Sequence, residues 1–193
     1  VLQVTDKLTT GAPYFVEMGH SQPSKFTGAE LQKITDLAKS AVVAVGIKDS
    51  PAHVEMMVTK EGPKMIELGA RMGGDCITTH LVPLSTGIDM IKAAIDISLG
   101  NIPDLEKRFD MGSAIRYFDV KPGVIKRISG VEEIEKIGGV KEIIFTKKVG
   151  DEIFPIRSSL DRAGMVICQS SDSESAIRQC ETVVKKIDFQ VNQ

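Results

Sequence analysis

The segment that decides the fold is His53-Val-Glu-Met-Met-Val-Thr-Lys-Glu-Gly-Pro-Lys-Met-Ile-Glu67-Leu-Gly-Ala-Arg71-Met-Gly73-Gly74. Two strand-like stretches flank the turn residues 61–63, and this arrangement predicts a β-hairpin. If the turn is centred on Glu61, Glu55 lies opposite Glu67 on one face, with their Cβ atoms about 5 Å apart.

The same face of the predicted hairpin collects further polar groups. Because side chains alternate along a strand, His53 lies beside Glu55, and Arg71 follows Glu67. Two carboxylates this close repel each other, so one must be protonated or a cation must lie between them. Mg²⁺ takes one or two protein carboxylates together with water and phosphate oxygens. Arg71 offers a fork of donors to a phosphate or carboxylate, and Gly73-Gly74 lets backbone N–H groups approach an anion. The face therefore favours phosphoryl transfer.

Other interpretations of these residues stay open. The two carboxylates could be surface groups that bind Lys60 or Lys64. His53 could be a structural hydrogen-bond partner of Glu55. A zinc site built on His53 and Glu55 lacks a convincing third ligand.

Composition excludes several functional classes. The chain has 193 residues, and its net charge of −2 gives no general attraction for nucleic acid or anionic membranes. No apolar run approaches the roughly 18 residues of a membrane span. The three cysteines have no metal-ligand spacing, which favours reduced thiols and a cytoplasmic location.

The rest of the chain predicts a mixed α+β protein. Helices are expected from about Gly28 to Val45, from Gly87 to Leu99 and from Asp172 to Ile187. In the second helix, Ile88, Ile91, Ile95 and Leu99 are expected to form a buried stripe. A polar stretch ends near residue 108, so we predict one domain over 1–108 and a second over 109–193.

Together these residues resemble a known superfamily. His53-x-Glu55, followed after about a dozen residues by Ile66-Glu67-x-x-Ala-Arg71-x-Gly-Gly74, is similar to the ATP-grasp ligases, especially the branch of the L-amino-acid ligases. Glycinamide ribonucleotide synthetase and the carbamoyl-phosphate synthase large subunit are wider relatives. Phe15-Val-Glu17-Met-Gly-His20-Ser-Gln-Pro23 resembles the substrate-side loop of that branch. Ser158-Ser-Leu-Asp-Arg162-Ala-Gly164 resembles part of its small C-terminal domain.

The resemblance implies roles for individual residues. Glu55 and Glu67 would bind the Mg²⁺ ions that bridge the ATP phosphates, and Mn²⁺ is an alternative metal. Arg71 would contact the transferred phosphoryl group, with Gly74 nearby, and Ile66 would touch the adenine. His20, Glu17 and His53 would face the substrates. Many relatives carry Asn where this chain has Gly69, so a third protein ligand for the metal is not expected.

The resemblance also implies a fold and an activity. We expect the C-terminal lobe of an ATP-grasp fold, with an antiparallel sheet and packed helices, followed by a small α+β domain. The chain would be a fragment without the glycine-rich loop of the preceding lobe, and inactive alone. The parent would join a carboxylate to an amine through an acyl phosphate, forming an amide and specifically a peptide bond. Alternatives are a purine- or carbamoyl-phosphate-type synthetase and a non-catalytic ligand-binding or dimerisation module.

Expected partners are small-molecule substrates and ATP, with a homodimer as an option. Arg116, Arg157 and Arg162 are expected to be isolated surface arginines. This expectation is weakest for Arg162, because the tail domains of the family can close over the active site.

Overall fold

The computed structural model describes residues 1–134 and 137–192. It divides into two compact units, Val1–Val4 with Ser24–Phe109 and Thr5–Pro23 with Asp110–Gln193. One break between the units falls between Phe109 and Asp110. The segment Thr5–Pro23, however, groups with the second unit, although it precedes the whole hairpin in sequence. The division into domains at residues 108 and 109 stays a prediction.

Both units combine strands with helices. In chain order, the strands are β1 (Asp6–Thr9), β2 (Glu17–Gln22), β3 (His53–Thr59), β4 (Gly62–Gly69), β5 (Gly112–Tyr117), β6 (Gly123–Ser129), β7 (Val140–Phe145), β8 (Glu152–Ile153), β9 (Gly164–Ser170) and β10 (Asp188–Asn192). The helices are α1 (Gly28–Ala44), α2 (Val82–Thr86), α3 (Met90–Ser98), α4 (Val131–Ile134) and α5 (Ser173–Lys186). A π-helical turn covers Ile77–Leu81, and a 3₁₀ turn covers Ser159–Asp161.

The first unit is built around the antiparallel hairpin of β3 and β4, against which α1 packs. The predicted bounds of α1 agree with the structure to within a residue. Thr27 precedes α1 in extended conformation, but its side chain makes no capping hydrogen bond. Ile34 is the buried residue of α1, and its packing contributes to the stability of this helix in the absence of a side-chain cap.

The buried stripe expected on the second helix is wrong for Ile91, Ile95 and Leu99, whereas Ile88 is buried as predicted. The predicted segment contains α3, which begins after Asp89, whose carboxylate accepts the Lys92 backbone N–H at 2.9 Å. Ala93 is buried, whereas Ile95 and Leu99 are 55% and 71% exposed. Helical spacing identified one apolar face of α3, but the opposite side of the helix faces the interior.

The second unit contains a five-stranded antiparallel sheet in the order β1-β2-β5-β9-β7. Helix α5 packs on β5 and β9, and its buried Ala176, Cys180 and Val183 join a core that includes Val166 and Cys168. A second sheet has the order β10-β6-β8. Antiparallel sheets with packed helices confirm the predicted α+β class.

Within residues 1–134 and 137–192, no helix combines the length and the apolar character needed to cross a bilayer.

Candidate functional site

The register of the β3–β4 hairpin brings two carboxylates face to face. Glu55 and Glu67 are directly paired, as the sequence predicted. The turn is tighter than expected, however, because Thr59 pairs with Gly62 and leaves only two residues between the strands. In the register near the turn, Glu55 would face Ile66.

A β-bulge restores the predicted pairing. The register shifts between Glu55 and Met56, and Ile66 is the extra residue on β4. A bulge leaves one residue unpaired and bends its strand, and bulges are frequent next to active sites. The side chain of Ile66 is 63% exposed, which is unusual for an isoleucine in a strand. Its predicted contact with adenine stays a prediction.

Arg71 lies on the same side of the hairpin as the carboxylates. Its Nη2 donates to Glu67 Oε1 at 3.0 Å, and its Nη1 donates to the carbonyl of Met72 at 3.1 Å. Gly69 leaves room for this arrangement, since a Cβ there would lie 3.1 Å from Arg71 Cγ. The ion pair is half-exposed and is worth about 0–1 kcal/mol, so a ligand can replace it at little cost.

His53 extends the row of polar groups. Its Nε2 lies 3.3 Å from Glu55 Oε1, and both side chains are mostly buried. Gly73 lies against the imidazole, because a Cβ at that position would be 3.0 Å from His53 Nδ1. This geometry fits the structural interpretation of His53, and its contact with a substrate stays a prediction.

The chain after Gly74 is conformationally unusual. A Cβ added at Gly74 would meet nothing within 4 Å, so its backbone is openly accessible. Asp75 and Cys76 both adopt left-handed backbone conformations, with φ of 48° and 61°. Such residues cost roughly 1–3 kcal/mol each and cluster at functional sites. A π-helical turn follows directly, and π-turns are also frequent at such sites. No pattern of residue types indicated either feature.

The donor set of this hairpin fits a hard divalent cation. Two carboxylates face each other, and oxygen ligands are those that Mg²⁺ prefers. Among the described residues, no group of three or more His, Cys, Asp or Glu side chains could hold a metal. The alternative interpretation, in which Lys64 binds the two carboxylates, is not observed, because Lys64 pairs with Glu61 at 3.0 Å.

The predicted substrate-side loop is instead a strand of the second unit. Residues 17–22 form β2, between β1 and β5, so the expectation of a loop histidine at position 20 is wrong. His20 is only 2% exposed, because it lies in the middle of the sheet. Glu17 begins the strand, and its carboxylate pairs with Lys7 at 3.2 Å. The substrate roles of both residues stay predictions.

Two arginines that were expected to be isolated contact this strand. Arg162 Nη1 donates to the backbone carbonyl of Glu17 at 3.0 Å, and Arg116 Nη1 donates to the carbonyl of His20 at 3.3 Å. The expectation of isolated surface arginines is therefore wrong for these two residues. The resemblance around Arg162 was a usable signal, but nothing in the sequence pointed to Arg116.

The loop before Arg162 is ordered by one carboxylate. Asp161 accepts hydrogen bonds from the backbone N–H groups of Arg157 and Ser158 and from the Ser158 hydroxyl. These bonds hold the pKa of Asp161 below its usual value, with the bond from Arg157 as the largest cause.

Two protein-family models match the chain, one near each end. Residues 1–79 match the ATP-grasp domain, and residues 116–192 match the L-amino acid ligase C-terminal domain 2. The resemblance predicted from the sequence is thereby confirmed, because the first part matches the ATP-grasp domain model and the last part matches the L-amino acid ligase model.

Individual relatives agree with these matches. The chain is 29% identical over 146 residues to an L-arginine-specific L-amino acid ligase of Bacillus subtilis, covering 74% of this chain and 35% of that protein. The crystal structure of an L-amino acid ligase from Bacillus licheniformis superposes with a TM-score of 0.87 at 23% identity, over 100% of this chain and 48% of that one. A biotin carboxylase domain of the Hydrogenobacter thermophilus 2-oxoglutarate carboxylase, solved with MgADP and bicarbonate, gives a TM-score of 0.69 at 17% identity over 100% of this chain and 43% of that one.

These comparisons confirm the predicted fold. The chain spans well under half the length of the curated relatives that it matches over most of its own length.

Proposed function

We propose that the full-length protein containing this chain is an ATP-dependent carboxylate–amine ligase that joins amino acids through a peptide bond. The observation that carries the proposal is the pairing of Glu55 with Glu67 across the bulged hairpin, with the Arg71 guanidinium bound to Glu67. The match of residues 116–192 to an L-amino acid ligase domain supports amino acids as substrates. It also makes a purine- or carbamoyl-phosphate-type synthetase the weaker alternative.

The facing carboxylates would hold the metal of the nucleotide. Glu55 and Glu67 would be the Mg²⁺ ligands, with Mn²⁺ as an alternative, and the ion would offset the negative charge of the ATP phosphates. Without a cation, the two carboxylates repel each other, and Arg71 offsets that repulsion through Glu67. Since the Arg71–Glu67 pair is half-exposed, Arg71 can turn from the carboxylate to a phosphate at little cost.

The reaction would proceed in two transfers. An oxygen of the substrate carboxylate forms a bond to the γ-phosphorus while the bond between that phosphorus and ADP breaks. The amine nitrogen then bonds to the acyl carbon, the phosphate leaves and the amine loses a proton. Arg71 would contact the transferred phosphoryl group in both steps, because its planar fork of donors suits phosphate oxygens. Gly74 would present open backbone to the same anion.

The remaining residues would select the reactants. The 63% exposed Ile66 would contact the adenine. Glu17 and His20 would face the amino-acid substrates from β2, where the Glu17 carboxylate could pair with an ammonium group. His53 would act through its contact with Glu55 or reach the substrate itself.

Phosphate release tests the proposal on the full-length protein. With Mg-ATP and pooled amino acids, we expect phosphate release together with dipeptides detected by mass spectrometry. Glu67→Gln and Glu55→Gln should each abolish turnover. Glu61→Gln is the matched control, since Glu61 lies on the same hairpin but pairs with Lys64 in the turn.

Two results would contradict the proposal. A full-length protein that binds no Mg-ATP, and is unaffected by Glu67→Gln, would be a non-catalytic module. Phosphate release that requires a phosphoribosylamine, with no dipeptide formed, would favour the purine-type alternative.

A further inference from the structure

Strand β2 begins with a residue that lies beyond the end of its neighbour β5. Gly19 pairs with Arg116, so in the same register Glu17 lies opposite Phe118, one residue past the end of β5. The Phe118 N–H donates instead to the carbonyl of Gly164 on β9. The Glu17 carbonyl is bound by the guanidinium of Arg162.

Arg162 is held by several groups of the second unit. Its Nε donates to the carbonyl of Ser159 at 2.9 Å, and its guanidinium carbon lies 3.7 Å from the centroid of the Tyr117 ring. The Tyr117 side chain is buried, so this cation–π contact is partly protected from water. The bonds that Asp161 accepts from the preceding loop fix the backbone from which Arg162 extends.

Arg116 binds the same strand three residues further on. Its side chain crosses Gly19, where a Cβ would lie 2.7 Å from Nη1 and 2.8 Å from Cδ. Only glycine permits this path. The Nη1 atom then donates to the carbonyls of Ile115 and His20.

We propose that Arg116 and Arg162 are positioning residues, which hold the backbone of β2 so that Glu17 and His20 are presented to the amino-acid substrates. This inference rests on the proposed function, since it takes the substrate roles of Glu17 and His20 from it. The two guanidinium groups bind the backbone carbonyls of those two residues and so act on the strand itself. A charged donor on each carbonyl fixes the strand more strongly than a neutral one would.

The experiment uses the full-length protein with Arg162→Met, Arg162→Lys and Arg116→Met. Arg127→Met is the matched control, because Arg127 is an exposed arginine on β6 of the same unit. The first measurement is hydrogen–deuterium exchange of the peptide covering residues 14–21. We expect faster exchange there in Arg162→Met and Arg116→Met than in the wild type or the control.

The second measurement separates positioning from general stability. Loss of a hydrogen bond to a charged group should raise KM for the amino acids roughly 10-fold or more, while KM for ATP stays within about twofold. Added guanidinium ion at millimolar concentration should partly restore KM in Arg162→Met. Lysine lacks the planar fork that both binds the carbonyl and stacks on Tyr117, so Arg162→Lys should recover only part of the effect.

Each outcome either supports or overturns the inference. Unchanged exchange in residues 14–21 overturns it, whatever the activity. Faster exchange with unchanged KM for amino acids also overturns it, because β2 would then be loosened without consequence for substrates. Equal increases in KM for ATP and amino acids indicate a structural role only. If the wild type shows no ATP-dependent turnover, the proposed function fails and the substrate role with it, while exchange data still show whether the arginines hold β2.

Discussion

Replacing Gly19 by alanine should destabilise the second unit selectively. The new Cβ would lie 2.8 Å from the backbone oxygen of Ile115, which cannot move without shifting β5, and 2.7 Å from Arg116 Nη1. Overpacking of this kind costs about 1–3 kcal/mol. Displacing Arg116 would also remove its bond to the His20 carbonyl, worth about 1 kcal/mol or somewhat more. The expected total is therefore about 2–4 kcal/mol.

The chain supplies a probe for this measurement. It has two tyrosines and no tryptophan, and both Tyr14 and Tyr117 lie in the second unit. Tyrosine fluorescence during urea unfolding therefore follows that unit. With an m-value of about 1–3 kcal/mol/M, a loss of about 2–4 kcal/mol moves the midpoint down by about 0.7 M or more. Circular dichroism records the first unit as well, and any separate transition of that unit should not move.

Gly138→Ala is the control for a glycine without close neighbours. A Cβ at Gly138 would meet nothing within 4 Å, so its replacement should leave the midpoint nearly unchanged. An unchanged tyrosine transition in Gly19→Ala would refute the close approach of Arg116 to β2. Equal shifts in both variants would show that the loss comes from the general replacement of glycine and not from this contact.

Further predictions concern single groups. The hydrogen bonds that Asp161 accepts lower its pKa in the folded protein. The ionised carboxylate therefore stabilises the fold above pH 3.8, the usual pKa, and this stabilisation is lost as pH falls through the lower folded pKa. The unfolding midpoints of the wild type and Asp161→Asn should differ at neutral pH and converge in acid. The bond with Cys168 and burial raise the pKa of Cys180, so an alkylating reagent followed by mass spectrometry should modify Cys76 long before Cys180. Ile95→Lys should change the free energy of unfolding by about 0.5 kcal/mol or less, because the Ile95 side chain is more than half exposed. A loss of several kcal/mol would instead show that Ile95 is buried, as the sequence predicted.

The facing carboxylates were predictable because strand pairing is local. Both strands and the turn lie close together in sequence, and alternation fixes which side chains share a face. The pairing of Glu55 with Glu67 was predicted correctly, but the predicted geometry of the turn was not. The turn is one residue shorter than expected, and the bulge at Ile66 compensates. A bulge depends on how the strand packs, so the pattern of residue types did not reveal it.

The environments of β2 and α3 were not predictable from local sequence. A Gly-His-Ser-Gln-Pro segment has the composition of a loop, yet the strands on either side of it in space make it the second strand of a five-stranded sheet. Its partner β5 lies far later in the chain, at Gly112–Tyr117. On α3, both sides carry apolar residues, and only tertiary packing decides which one is buried.

The proposed nucleotide site would explain why the hairpin carries residue types that its packing does not favour. A pair of like charges across a hairpin destabilises it, and an isoleucine that is 63% exposed gains little from burial. The Arg71–Glu67 pair is half-exposed and adds little stability either. Folding alone would favour a threonine or lysine at several of these positions. All of these features become favourable together if a metal-bound nucleotide lies on this face, because the metal needs the carboxylates, the phosphates need the guanidinium, and the base needs an apolar contact.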